Sequence, residues 1–81
     1  MQANQCELRV TFELNEHWEN IQKTICKILE YGYPDSSFGG GVRDLWFPFD
    51  NPDKAQKAKQ AIDLLLKDLE LKGCVKVSKI K

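Results

Sequence analysis

Apolar and polar residues alternate strictly near the start of the chain, where Cys6, Leu8, Val10, Phe12 and Leu14 are separated by Glu7, Arg9, Thr11 and Glu13. Successive side chains of an extended backbone point to opposite faces, so this period of two predicts a strand with one buried and one wet face. That pattern suits an antiparallel sheet open on one side better than a parallel sheet covered on both. The period then changes. Trp18, Ile21, Ile25, Ile28 and Leu29 recur at helical spacing and predict a helix over residues 16–31. Asn15 is the expected cap, with Glu16 and Glu19 placed to favour the positive end of the helix dipole. Gly32, in a left-handed conformation, and Pro34 are the expected stop.

The stretch from Tyr33 to Val42 has two readings. Either Ser36-Ser37-Phe38 is a short edge strand with Gly39-Gly40-Gly41 as a hairpin turn, or the whole of residues 33–42 is a mobile loop. Leu45, Phe47 and Phe49 then alternate with Asp44, Trp46 and Pro48, predicting a second patterned strand. It is expected to end or bulge at Pro48, which has no N–H for a ladder bond. A second helix is expected to open at Asn51-Pro52, a cap residue followed by proline in the first turn. Its apolar stripe runs Ala55, Ala58, Ile62, Leu65 and Leu69, widened by Ala61 and Leu66, and Gly73 is its expected stop. A last strand covers Cys74 to Ile80, with Val75 and Val77 set among lysines and Ser78.

The order is strand, helix, hairpin, helix, strand, and 81 residues make one domain, 1–81. This order resembles a ferredoxin-like βαββαβ sandwich, an α+β fold with two helices on one face of an antiparallel sheet. Without the short edge strand, three strands and two crossovers would remain. The polar outer face of the first strand argues for the sandwich.

Composition narrows the class. An apolar share of 42% and a charged share of 30% belong to a globular chain rather than a disordered one. No apolar run approaches the length of a membrane span, and Met1 to Gln5 lack the features of a secretion signal. Three cysteines without a close pair read as reduced thiols, so a cytoplasmic location is expected. Net charge is zero but unevenly spread: residues 1–53 carry nine acids and four bases, whereas residues 54–81 carry eight bases and three acids. The two halves are expected to interleave so that their fields largely cancel.

Candidate chemistry is sparse. His17 is the only histidine and no Cys-x-x-Cys or His-x-x-x-His spacing occurs, so neither a metal nor another cofactor is expected. A cysteine nucleophile would need His17 as its base, but His17 opens a helix at the far end of strand one from Cys6, and Cys26 lies more than two turns along that helix. No catalytic residue is assigned, and the protein is not expected to be an enzyme. Cys6 and Cys74 enter the sheet from opposite ends, which argues against a disulfide. The three glycines are followed by Val42-Arg43-Asp44-Leu45 rather than by the lysine, hydroxyl and helix of a phosphate-binding loop. In helix two, Lys54, Lys57 and Lys59 crowd the N-terminal turns against the dipole, which a solvated face tolerates.

The run Leu45-Trp46-Phe47-Pro48-Phe49-Asp50-Asn51-Pro52, with Ala55 and Ala58 beyond it, is similar to the third strand and second helix of RNA-recognition motifs. That family stacks bases on aromatics of its open sheet, and the resemblance implies single-stranded nucleic acid as one partner. Aligned by Phe49, the two stacking positions hold Asp44 and Trp46, so only one is aromatic. A tryptophan on an otherwise polar face is also a typical interface anchor. The first expectation is therefore a non-enzymatic binding module that holds a protein partner or a second copy of itself. Its expected interface comprises Trp46, Arg9, Thr11, Arg43 and Lys76. Nucleic-acid binding is the alternative, with Trp46 for stacking and Arg9, Arg43, Lys76 and the C-terminal lysines for charge, and no membrane contact is expected. A further alternative is a small-ligand regulatory domain like the ACT family, suggested by the turn Tyr31-Gly32-Tyr33 after helix one.

Overall fold

The structure is a computed structural model that describes residues 6–32 and 34–79. Residues 1–5, Tyr33 at the head of the glycine-containing stretch, and Ile80 of the expected last strand lie outside the described residues. The chain forms β1 (Cys6–Glu13), α1 (Trp18–Leu29), β2 (Asp35–Gly39), β3 (Val42–Phe49), α2 (Pro52–Asp68) and β4 (Gly73–Lys79). The four strands make one sheet in the order β2-β3-β1-β4, with every neighbouring pair antiparallel. The architecture is α+β, as the order of periodicities predicted.

The alternation in β1 sends Leu8, Val10 and Phe12 into the core, where they meet Leu45 and Phe47 of β3 and Val75 of β4. Ile21 and Ile25 of α1 and Ala58, Ile62 and Leu66 of α2 close over the same sheet face. Small residues let α2 approach closely: Ala55 and Ala58 are buried in its first turns. Alpha-helix two lies nearest β1 and β4. Alpha-helix one covers the other half, with Tyr31 just beyond its end edge-on to Phe47 and Trp18 edge-on to Phe38 of β2.

Several local expectations are corrected. Asn15 does not cap α1: its Oδ1 accepts the backbone N–H of His17 at 2.7 Å, and His17 takes the cap position without a side-chain bond. Asn15 thus stabilises the turn before the helix, which runs from Trp18 to Leu29 rather than over residues 16–31. The left-handed residue after α1 is Glu30, at φ 54°, and not Gly32. The backbone N–H of Tyr31 then reaches the Cys26 carbonyl at 3.0 Å, closing the helix end. Residues 35–39 form the edge strand, and Gly40 and Gly41, at φ 59° and 78°, make the turn. Two consecutive positive φ values are what a two-residue hairpin of matching twist requires. Pro48 neither ends nor bulges β3, because it stands beyond the last β2 pair, Asp35 with Trp46, where β3 is itself an edge.

Asn51 does cap α2, accepting from the N–H groups of Asp53 and Lys54. Gly73 does not stop that helix; Glu70, at φ 55°, turns the chain earlier. Gly73 instead opens β4 against β1, where a Cβ would run into the Thr11 carbonyl oxygen.

Candidate functional site

Both helices lie on one side, so the other sheet face carries the side chains that alternate away from the core. Register sorts them into rows across the strands. The middle row is Asp35, Trp46, Arg9 and Lys76, from β2, β3, β1 and β4 in turn. Beside it runs Ser37, Asp44, Thr11 and Cys74, and on the other flank Pro48, Glu7 and Ser78.

Trp46, Arg9, Thr11 and Lys76 therefore share the face on which they were expected. Trp46 is only half-buried, and the Arg9 guanidinium lies over its ring at 5.4 Å from the centroid. The same guanidinium is 3.3 Å from Asp44 Oδ1, and Thr11 Oγ1 donates to that oxygen at 2.6 Å. The Asp44 side chain is 11% exposed against 49% for Arg9, so the carboxylate sits beneath its two partners. Cross-strand register explains the cluster, since Asp44 is directly opposite Thr11 and one step along from Trp46, which faces Arg9. Asp44 was absent from the expected interface. The signal for it was available, since it shares the parity of Trp46.

Arg43 is a correction. Its parity is that of Leu45 and Phe47, so it points to the helix side, where it is 7% exposed. There the guanidinium carbon lies 3.9 Å from the ring centroid of Phe38 and 4.9 Å from that of Trp18. Its Nε donates to Gln22 Oε1 at 3.1 Å. Guanidinium is weakly hydrated and flat, which makes burial between aromatic faces tolerable for arginine. Arg43 joins α1, β2 and β3 and contributes nothing to the open face.

The thiols are ordinary. Burial pushes Cys6 up from its usual value, and Asp50 adds to the shift; burial alone does the same to Cys26. Cys74 is exposed on the open face. Cys6 is paired with Lys79 and Cys74 with Thr11, at opposite ends of the β1–β4 ladder. His17 is exposed, with Nε2 3.5 Å from Glu16. Among the described residues no group of three or more His, Cys, Asp or Glu stands close enough to hold a metal ion. No helix of the described residues is long and apolar enough to cross a membrane.

The helix layer is not sealed. A shallow cavity of about 390 Å³ opens between the start of α1 and the end of α2, floored by Ile21, Leu65, Leu69 and Leu71. A second, of about 410 Å³, lies at the opposite end beside Ile28, Phe49, Ala61 and Lys57. Leu64 and Leu69 of this layer are exposed, at 62% and 46%. No protein-family model, curated protein or solved structure matches the chain.

Proposed function

We propose that this protein is a small non-enzymatic binding module of ferredoxin-like βαββαβ topology. Its open sheet face around Trp46 holds a protein partner or a second copy. The strand order β2-β3-β1-β4, with two helical crossovers on one face, supports the topology. The observation that carries the function is the middle row: an indole at the centre of a face without a helix, flanked by charges of both signs. An aromatic in such a setting offers apolar area at low entropic cost, while its charged rim orients whatever docks. Catalysis draws no support from the cluster. Arg9, Thr11 and Asp44 satisfy one another: the Thr11 hydroxyl donates to the same Asp44 oxygen that pairs with the Arg9 guanidinium.

Single-stranded nucleic acid is the second reading, favoured by the position of Trp46 on β3 in the open face. A base stacking there has to displace the Arg9 guanidinium from the ring, and it meets Asp44 one row along. Zero net charge adds little phosphate attraction. Sedimentation of the wild type and Trp46→Ala over about a hundredfold range of concentration tests the first reading. A mass that rises with concentration, and that Trp46→Ala returns to the monomer without unfolding, supports it for a second copy. A monomer throughout, with tryptophan fluorescence quenched by an oligonucleotide in a salt-sensitive way, replaces it with the second reading.

A further inference from the structure

The charges of the open face are arranged so that one sheet complements its own copy. Within a single sheet the middle row is poorly matched. Arg9 and Lys76 are directly opposite each other on β1 and β4, and like charges across a ladder repel. Arg9 is drawn away onto Trp46 and Asp44. Lys76 and Asp35 enter no ion pair among the described residues. They are exposed at opposite edges of the row, three strand spacings apart, or roughly 14 Å, too far to meet within one molecule.

We infer that two copies pack open face to open face about a two-fold axis that runs parallel to the strands between β3 and β1. This rests on the reading of the open face given above. Such an axis lays β2 of one copy over β4 of the other and β3 over β1. Asp35 then faces Lys76 of the second copy, twice by symmetry, and Trp46 faces Arg9. In the neighbouring rows Asp44 comes opposite Thr11, Ser37 opposite Cys74, and Pro48 opposite Glu7. No position in these rows meets a like charge. A two-fold axis perpendicular to the strands through the same row would set Asp35 on Asp35, Arg9 on Arg9 and Lys76 on Lys76. Both axes keep the strands of the two sheets aligned, the arrangement in which twisted sheets pack at about 30°, so the charges choose between them.

The size of the face sets the strength. Four strands about 4.8 Å apart, each some seven residues long at about 3.3 Å per residue, give roughly 19 by 23 Å. Two such faces bury roughly 900 Å², near the lower limit of about 1,000 Å² for a specific interface. The dimer is weak and depends on concentration.

The test is a charge exchange read by sedimentation equilibrium at low salt, with circular dichroism to check each fold. The proteins are wild type, Trp46→Ala, Asp35→Lys, Lys76→Asp and the double Asp35→Lys/Lys76→Asp. Each single exchange sets two like pairs in the interface and is expected to weaken the dimer roughly ten- to thirtyfold, while the double variant recovers wild-type affinity. A bifunctional thiol reagent about 10 Å long should also link Ser37→Cys of one copy to Cys74 of the other, the spacing of two facing sheets. If Trp46→Ala abolishes a dimer that the double variant fails to restore, the open face is the interface but this axis is wrong. If the wild type stays monomeric, or Trp46→Ala leaves the dimer intact, the axis and the self-association reading fall together.

Discussion

Replacing Arg43 with alanine should destabilise the protein by about 2–3 kcal/mol, although it removes a buried charge that has no carboxylate partner among the described residues. The magnitude follows from its three contacts. A cation over an aromatic ring is worth about 0.5–1 kcal/mol when exposed and about 2 kcal/mol when desolvated. Phe38 is 54% exposed, which puts its share at the low end, and half-buried Trp18 falls between the two limits. The bond from Nε to Gln22, with a charged donor, adds about 1.5 kcal/mol. Part of this gross 3–4 kcal/mol is offset, because taking a cation out of the interior recovers its desolvation cost. For a domain of 81 residues each kcal/mol moves the melting temperature by about 4–8 °C, so a fall of roughly 10–20 °C is expected. Urea titration followed by tryptophan emission measures the same loss, with Trp18 inside the perturbed cluster. Arg43→Met supplies the control, since it keeps the volume and the thioether contact with the rings but not the charge. The reasoning is refuted if Arg43→Ala costs under about 0.5 kcal/mol, or if Arg43→Met is as stable as the wild type, which would make packing the whole effect.

Two further predictions concern the core and its thiols. Gly73→Ala should cost about 2 kcal/mol or more in urea, because its Cβ strikes the Thr11 carbonyl where β4 joins β1; an unchanged midpoint would refute that close approach. Burial holds the protons of Cys6 and Cys26 above the ordinary thiol value of 9.0, so the folded chain keeps them when the unfolded chain has released them. Their contribution is therefore fully present below about pH 9 and is lost as pH rises through that value towards the raised one. A Cys6→Ala/Cys26→Ala variant should lose stability less steeply than the wild type between about pH 8 and 10, and parallel slopes would contradict the assignment.

Elements whose physics is local were legible in the sequence. The alternation in β1, the Asn51-Pro52 entry to α2 and its stripe of Ala55, Ala58 and Ile62 need only the residues themselves to be read. The ends of α1 were not, because Asn15 and Gly32 are each suited to a cap that a neighbour takes. Nothing local decides between Asn15 and His17, or between Gly32 and Glu30. The open face was mostly legible too, since parity alone put Arg9, Thr11, Trp46 and Lys76 together. Arg43 was misjudged by its charge. The same parity that buried Leu45 and Phe47 applied to it, but its partners Trp18 and Phe38 come from other elements, and only the assembled sheet brings them to one place. The shading of Trp46 by Arg9 was hidden for the same reason.

The sheet order also bears on how the chain reaches its final state. Beta-strand one comes first among these elements, yet it sits inside the sheet, bounded by β3 from Val42 and by β4 from Gly73. Until those segments exist, its apolar side has no permanent cover and both its ladders are empty. Bridging such separations is slow, because chain entropy is lost before any ladder bond is gained. The β2–β3 hairpin and α2 need no distant partner and can form early, leaving β1 to be received between strands synthesised after it. A chain halted before Gly73 would present one bare ladder of β1 to any other extended segment nearby. The vulnerable interval in the life of this protein is thus its synthesis, and β4 is the piece that ends it.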